Sequence, residues 1–121
     1  MSRDSITLEK SKAFAIRIVN LYKFLSNHKK EYVLSKQVLR SGTSIGANLS
    51  EAIYGISKKD FLSKVFVSLK ECAETLYWLE LLYKTDYISE QEYKSMNEDC
   101  VELVKLFTSI AKTTTKNISN L

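Results

Sequence analysis

Apolar positions in this chain return every three or four residues, the spacing that gathers side chains on one face of a helix. Near the start, Phe14, Ile18, Leu21 and Leu25 form one stripe while Lys12, Arg17 and Lys23 fall away from it. That pattern predicts a helix over about 6–28, ended by the polar run from Ser26 to Glu31. A second helix is predicted over about 34–55, with Gly55 in the left-handed C-terminal position that glycine adopts without steric cost. Two later starts carry the capping-box pattern of a serine followed three residues on by an acid: Ser57 with Asp60, and Ser89 with Glu92. They open helices over about 58–85 and 90–115.

The third helix carries Leu62, Val65, Phe66, Leu69, Ala73, Leu76 and Tyr83 on one face; the fourth carries Tyr93, Met96, Cys100, Leu103, Phe107 and Ile110. No proline and only three glycines interrupt 121 residues, which favours long helices. Four amphipathic helices joined by short turns bury their stripes best as an up-down-up-down bundle. The expectation is therefore an all-α, single-domain four-helix bundle, with the last residues, from Thr113 on, losing the pattern and fraying.

The stretch RSGTSIGANLSEA, Arg40 to Ala52, gathers glycines, hydroxyls and charges, yet it lacks the Gly-x-x-x-x-Gly-Lys-Ser/Thr order of a phosphate loop. On a helix it places Val38, Ile45, Leu49, Ala52 and Ile53 toward the core. Arg40, Ser44, Ala47 and Glu51 form an opposite stripe with Asn48 at its edge. Gly42 and Gly46 each cost a helix about 1 kcal/mol against alanine, so close approach of another helix is expected to offset them. The small surface of Ser41, Gly42, Gly46, Ala47 and Ser50 would admit a long aromatic-bearing helix. The third helix is apolar on a second side, through Val67, Trp78 and Leu81, which predicts self-association. Gly42 and Gly46 join those three as candidate packing positions of the oligomer. Glu71 and Glu74 lie amid this second face and are candidate partners of Arg40, within the chain or across subunits, in a polar network with Ser44, Asn48 and Glu51.

Composition narrows function. The chain is 45% hydrophobic and 26% charged, the balance of an ordinary globular domain. Cys72 and Cys100 stand far apart and His28 is the sole histidine, so a Cys/His zinc cluster is excluded; the cysteines read as core residues and His28 as a solvated turn residue. Catalytic residues, metal and cofactors are all expected to be none. The start of the chain lacks a signal-peptide core, and no run approaches the roughly 18 apolar residues of a membrane span, so a cytoplasmic protein without membrane contact is expected. Residues 1–70 hold 13 Lys and Arg against 5 Asp and Glu, while residues 71–121 hold 5 against 9. The basic first half supplies the candidates for phosphate contacts, Lys10, Lys12, Arg17, Lys23, Lys29, Lys30 and Lys36, with Arg40 beside them. No base-reading module accompanies them, so binding would be by phosphate and shape.

The segments QVLRSGTSIGANLSEAIYG (Gln37 to Gly55), DFLSKVFVSLKECAETLYWLELL (Asp60 to Leu82) and LVKLFTSIAKTTTK (Leu103 to Lys116) resemble the four-helix-bundle proteins encoded in intervening sequences of bacterial 23S rRNA genes. They are similar also to the accessory variability proteins of diversity-generating retroelements. The resemblance covers nearly the whole chain. It implies a bundle assembling as a ring, typically a homopentamer, with basic surface suited to RNA or DNA and no enzymatic activity. It implies for Arg40, Ser44, Ile45, Asn48, Glu51, Glu71 and Glu74 a part in fold and assembly. Among retroelement relatives the ring works beside a reverse transcriptase. The alternative is a structural or partner-binding bundle without nucleic-acid affinity.

Overall fold

The computed structural model describes residues 2–120 and contains four helices: α1 (Arg3–Asn27), α2 (Leu34–Ile53), α3 (Lys58–Lys84) and α4 (Glu90–Ser119). Each packs on its sequence neighbours, α4 closes back on α1, and the diagonal pairs stay apart, which is the up-down-up-down bundle. The turns α1–α2 and α3–α4 therefore share one end, called here the upper end. The turn α2–α3, the start of α1 and the end of α4 share the lower end. Among the described residues no helix is long and apolar enough to cross a membrane.

Serine side chains start three of the helices. Ser2, Ser57 and Ser89 accept from the backbone N–H of Ser5, Asp60 and Glu92, each at 3.1 Å, satisfying one of the free donors of a helix N-terminus. Helix α2 is started differently: the Glu31 carboxylate accepts from the N–H of Val33 at 3.1 Å and of Ser35 at 2.8 Å. Its other end differs from the expectation for Gly55, which has no left-handed backbone. The helix tightens instead, with Tyr54 N–H on Glu51 O at 3.1 Å and Gly55 N–H on Ala52 O at 2.9 Å. Such i→i+3 bonds close a helix without a left-handed residue. The left-handed positions are Lys30 and Asp86, in the two upper turns.

Phe14, Ile18, Leu21 and Leu25 of α1 meet Val38, Ile45, Leu49 and Ala52 of α2 and Met96, Cys100, Leu103, Phe107 and Ile110 of α4 in the core. Ile53, expected there, is exposed. The core line of α3 is Val65, Ser68, Cys72, Thr75, Leu79 and Leu82, displaced from the predicted face. Phe66 and Ala73 are exposed, and Leu62, Leu69, Leu76 and Tyr83 are half-buried. The displacement has a packing cause. Opposite α2, α3 uses small polar residues, so Ser68 Oγ donates to Ile45 O at 2.8 Å and the Thr75 and Ser41 hydroxyls share a hydrogen bond at 2.9 Å.

The two helix-interior glycines face α1. A Cβ built on Gly42 would lie 2.6–2.9 Å from three side-chain carbons of Ile18, and one on Gly46 would lie 3.0 Å from Ser11 Cβ. The neighbour admitted is thus α1, through an isoleucine and a serine rather than aromatic rings. Both glycines are buried inside the subunit, which removes them from any oligomer surface. At the other end of the chain α4 stays helical through the stretch predicted to fray as far as Ser119, because Thr114 and Ile118 extend its inward line below Ile110 and Ala111; Leu121 lies outside the described residues.

Candidate nucleic-acid interface

The predicted polar network divides in two. Arg40 reaches across from α2 to α3, pairing with Glu71 at 3.3 Å and with Glu74. Trp78 Nε1 donates to Glu74 Oε2 at 3.0 Å. That indole hydrogen bond, aided by Arg40 and opposed by burial, holds the Glu74 carboxyl below its ordinary range, and the Glu74 hydrogen bond raises Arg40. Ser44 and Asn48 bond along their own helix, to Arg40 O at 2.6 Å and Ser44 O at 2.8 Å. Glu51 stands apart from them and pairs with Lys64 of α3 at 3.2 Å. The set is an α2–α3 clamp closed within one subunit. Among the described residues no three His, Cys, Asp or Glu side chains converge as metal ligands. Cys72 and Cys100 are buried thiols between α3 and α4; the contact with Cys100 and burial push the Cys72 thiol up, away from reactivity.

The seven candidate phosphate residues separate into two groups. Lys10 pairs with Glu102 at 3.2 Å, and Arg17 pairs with Asp99 at 2.6 Å while also reaching Ser95 Oγ at 3.0 Å. Arg3 completes the row with hydrogen bonds to Ser109 and Thr113 at 3.2 and 3.1 Å. Arg3, Lys10 and Arg17 stand seven residues apart, two helical turns each, so they fall on one edge of α1 and zip it to α4. Their charge is committed to this seam. Lys12, Lys23, Lys29, Lys30 and Lys36 are exposed and make no ion pair among the described residues. They are spread along α1 and over the upper turn, where Lys29 also lies 5.7 Å from the Phe24 ring centre.

Folding creates a second basic surface that dividing the sequence into halves conceals. Residues 58–70 contain Lys58, Lys59, Lys64 and Lys70 against one acid, Asp60, and residues 103–120 contain Lys105, Lys112 and Lys116 with no acid. The antiparallel arrangement sets these two stretches side by side in the lower half of the bundle, where Phe66 and Leu69 meet Ala111, Lys112, Thr115 and Lys116 across a groove of about 400 Å³. The acids of α4, Glu90, Glu92, Glu98, Asp99 and Glu102, all lie in its upper half. Lys105, Lys112 and Lys116 are seven and four residues apart, so they share one outward line of α4, interleaved with Thr108, Ser109, Thr113 and Thr115. The available signal was the absence of acids over the eighteen residues from Leu103 to Asn120, hidden by averaging them with the acidic stretch before.

Of the expected oligomer positions, Val67, Trp78 and Leu81 are half-buried. Trp78 packs against the core, whereas Val67 and Leu81 do not. These residues occupy the outer flank of α3 that leans toward α2.

Comparison with known proteins places the fold and the family together. A crystal structure of a protein of unknown function from the S23 ribosomal protein family, from Bacteroides thetaiotaomicron VPI-5482, is 55% identical, with a TM-score of 0.90 over 92% of this chain and 99% of that one. A search of curated proteins finds no match. The family model for 23S rRNA-intervening sequence proteins matches residues 3–109, so this chain belongs to the 23S rRNA-intervening sequence protein family.

Proposed function

We propose that the protein is a self-associating, non-enzymatic bundle that binds RNA or DNA through phosphate contacts. The observation that carries the reading is the lower α3–α4 surface, where Lys59, Lys70, Lys105, Lys112 and Lys116 are exposed without ion-pair partners among the described residues. Serine and threonine hydroxyls between lysines are the donors that phosphate oxygens take. Lys12, Lys23, Lys29, Lys30 and Lys36 add to the field from α1 and the upper turn, while the seam residues Lys10 and Arg17 do not. A binding role fits the Arg40–Glu71–Glu74 set, whose charges are spent on one another. Self-association is assigned to the α3 flank of Val67, Trp78 and Leu81, and the family resemblance supports a ring of five. In a ring the basic surface is repeated, which multiplies its attraction for a polyanion.

Fluorescence anisotropy of a labelled RNA and a DNA duplex, titrated with the protein at several salt concentrations, tests the reading. Affinity falling steeply with salt is expected, because each neutralised phosphate releases counterions. Absence of binding at low salt overturns it. The half-buried apolar flank of α3 would then favour a bundle whose partners are proteins, a reverse transcriptase among them.

A further inference from the structure

The outward face of α3 interleaves aromatic rings with lysines. Lys59, Phe66, Lys70 and Tyr77 are separated by seven, four and seven residues, which keeps all four within about 40° around the helix. Phe66 is 47% exposed and Tyr77 is 59% exposed, among the larger apolar exposures on any helix here. Neither is needed by the core, and the Tyr77 ring is braced edge-on by Trp78 at 5.0 Å between centroids. Phe66 also forms one wall of the α3–α4 groove, whose floor is Leu69 and Ala111 and whose charged residues are Lys112 and Lys116. Among the described residues no carboxylate lines that groove.

An apolar groove whose charged lining residues are both cations calls for a ligand that offers flat apolar groups and negative charge together. Duplexes keep the flat faces of their bases stacked inside and present phosphates and base edges. A single strand presents both, and aromatic side chains hold its bases while lysines follow the backbone. We propose that the α3–α4 outer face is a platform for single-stranded nucleic acid, with bases stacked on Phe66 and Tyr77 and phosphates held by Lys59, Lys70, Lys112 and Lys116. The proposal rests on the phosphate-binding reading above and adds to it the form of the ligand. A step of one residue turns the helix by about 100°, so Phe66 and Val67 lie on different flanks and the Phe66 groove stays clear of self-association through Val67, while Tyr77, one turn before Leu81 and edge-on to Trp78, borders that contact.

The test compares an unstructured RNA oligonucleotide, the same sequence as DNA, and the duplex of each, using the full-length protein and its Phe66→Ala, Tyr77→Ala and Lys112→Glu/Lys116→Glu variants. Both aromatic positions are outside the core, and circular dichroism with sedimentation confirms that each variant keeps its fold and assembly. The single strands are expected to bind more tightly than the duplexes. Each aromatic truncation should cost about tenfold in single-strand affinity, leave the salt dependence unchanged and leave the duplex unaffected, with Phe66→Tyr retaining the wild-type affinity. The lysine reversals should flatten the salt dependence for every ligand. If the lysine variants weaken binding while Phe66→Ala and Tyr77→Ala do not, the platform is refuted and phosphate binding stands; if no nucleic acid binds the wild-type protein, both fall.

Discussion

Gly42 is where the fold is most sensitive to a single added carbon. Replacing it with alanine gives the interior of α2 about 1 kcal/mol of helix propensity, so an α2 in isolation would gain. In the bundle the new methyl meets three carbons of Ile18 at 2.6, 2.9 and 2.9 Å, against ordinary carbon separations of about 3.5–4.0 Å. Ile18 is fully buried and all three of its carbons are struck at once, so rotation about one bond cannot clear the overlap. Overpacking of this kind costs about 1–3 kcal/mol. The propensity gain offsets about 1 kcal/mol of it, leaving Gly42→Ala less stable by up to about 2 kcal/mol. Ile18→Ala alone should cost about 2–5 kcal/mol through the cavity it opens. In that background the Gly42→Ala methyl enters the cavity and the substitution should become stabilising by about 1 kcal/mol. The sign reversal is the diagnostic quantity. It is read from guanidinium unfolding of the four proteins of the cycle, followed by helical circular dichroism at one fixed protein concentration, since the proposed self-association would make stability concentration-dependent. Gly42→Ala stabilising the wild-type protein, with no coupling to Ile18, would refute close α1–α2 approach as the reason for glycine here.

Three further outcomes are expected. Ser11 Oγ is buried beside Gly46 without a hydrogen-bond partner among the described residues, so Ser11→Ala should be neutral or stabilising by up to about 1 kcal/mol; a loss of stability in chemical denaturation would show that the hydroxyl is satisfied in solution. Glu31 is the N-terminal cap of α2 through two backbone bonds, and Glu31→Ala should cost about 1 kcal/mol, whereas the same change at exposed Glu98 should leave the unfolding midpoint in place. The Glu74 carboxyl is held low by Trp78 and Arg40, so its contribution is present above the ordinary glutamate value of about 4.3 and is lost as pH falls through the lower folded value. With 37% of the Glu74 side chain exposed, solvent screening keeps that contribution under about 1 kcal/mol. Stability measured against pH should fall less on acidification in Glu74→Gln, and an unchanged profile contradicts the pairing.

The bundle was legible because three of its four helices keep their large apolar residues on one line, and because the serines at 57 and 89 mark helix starts by their side chains alone. Helix α3 was misread where size misleads. Its core line runs through Ser68, Cys72 and Thr75, since α2 presents small residues and backbone carbonyls to it, while the large Phe66 and Tyr77 face out. A hydrophobicity pattern ranks residues by apolar area and so points at the wrong side of a helix whose neighbour is small. Charge was misread for a different reason. Lys10 and Arg17 look free in sequence, but their partners Glu102 and Asp99 come from the far end of the chain. Lys105, Lys112 and Lys116 look outweighed by acids that the folded helix places at the opposite end of the bundle. The Arg40 clamp was half legible: Arg40, Glu71 and Glu74 do meet, whereas Glu51 lies more than two turns further along α2 and finds Lys64.

The central claim is that nucleic-acid phosphates are bound on the lower α3–α4 surface rather than on α1. Two triple reversals test it directly: Lys105→Glu, Lys112→Glu and Lys116→Glu on one protein, and Lys12→Glu, Lys23→Glu and Lys36→Glu on another. They change net charge equally and alter only exposed residues outside the ion pairs of the described structure. The slope of log affinity against log salt for one RNA is the measurement. The account predicts that the α4 reversals reduce its magnitude by about 2, near 0.7 for each lost single-strand contact, while the α1–α2 reversals weaken binding through net charge with the slope nearly unchanged. Equal changes in the two proteins, or a larger change from the α1–α2 set, would contradict it.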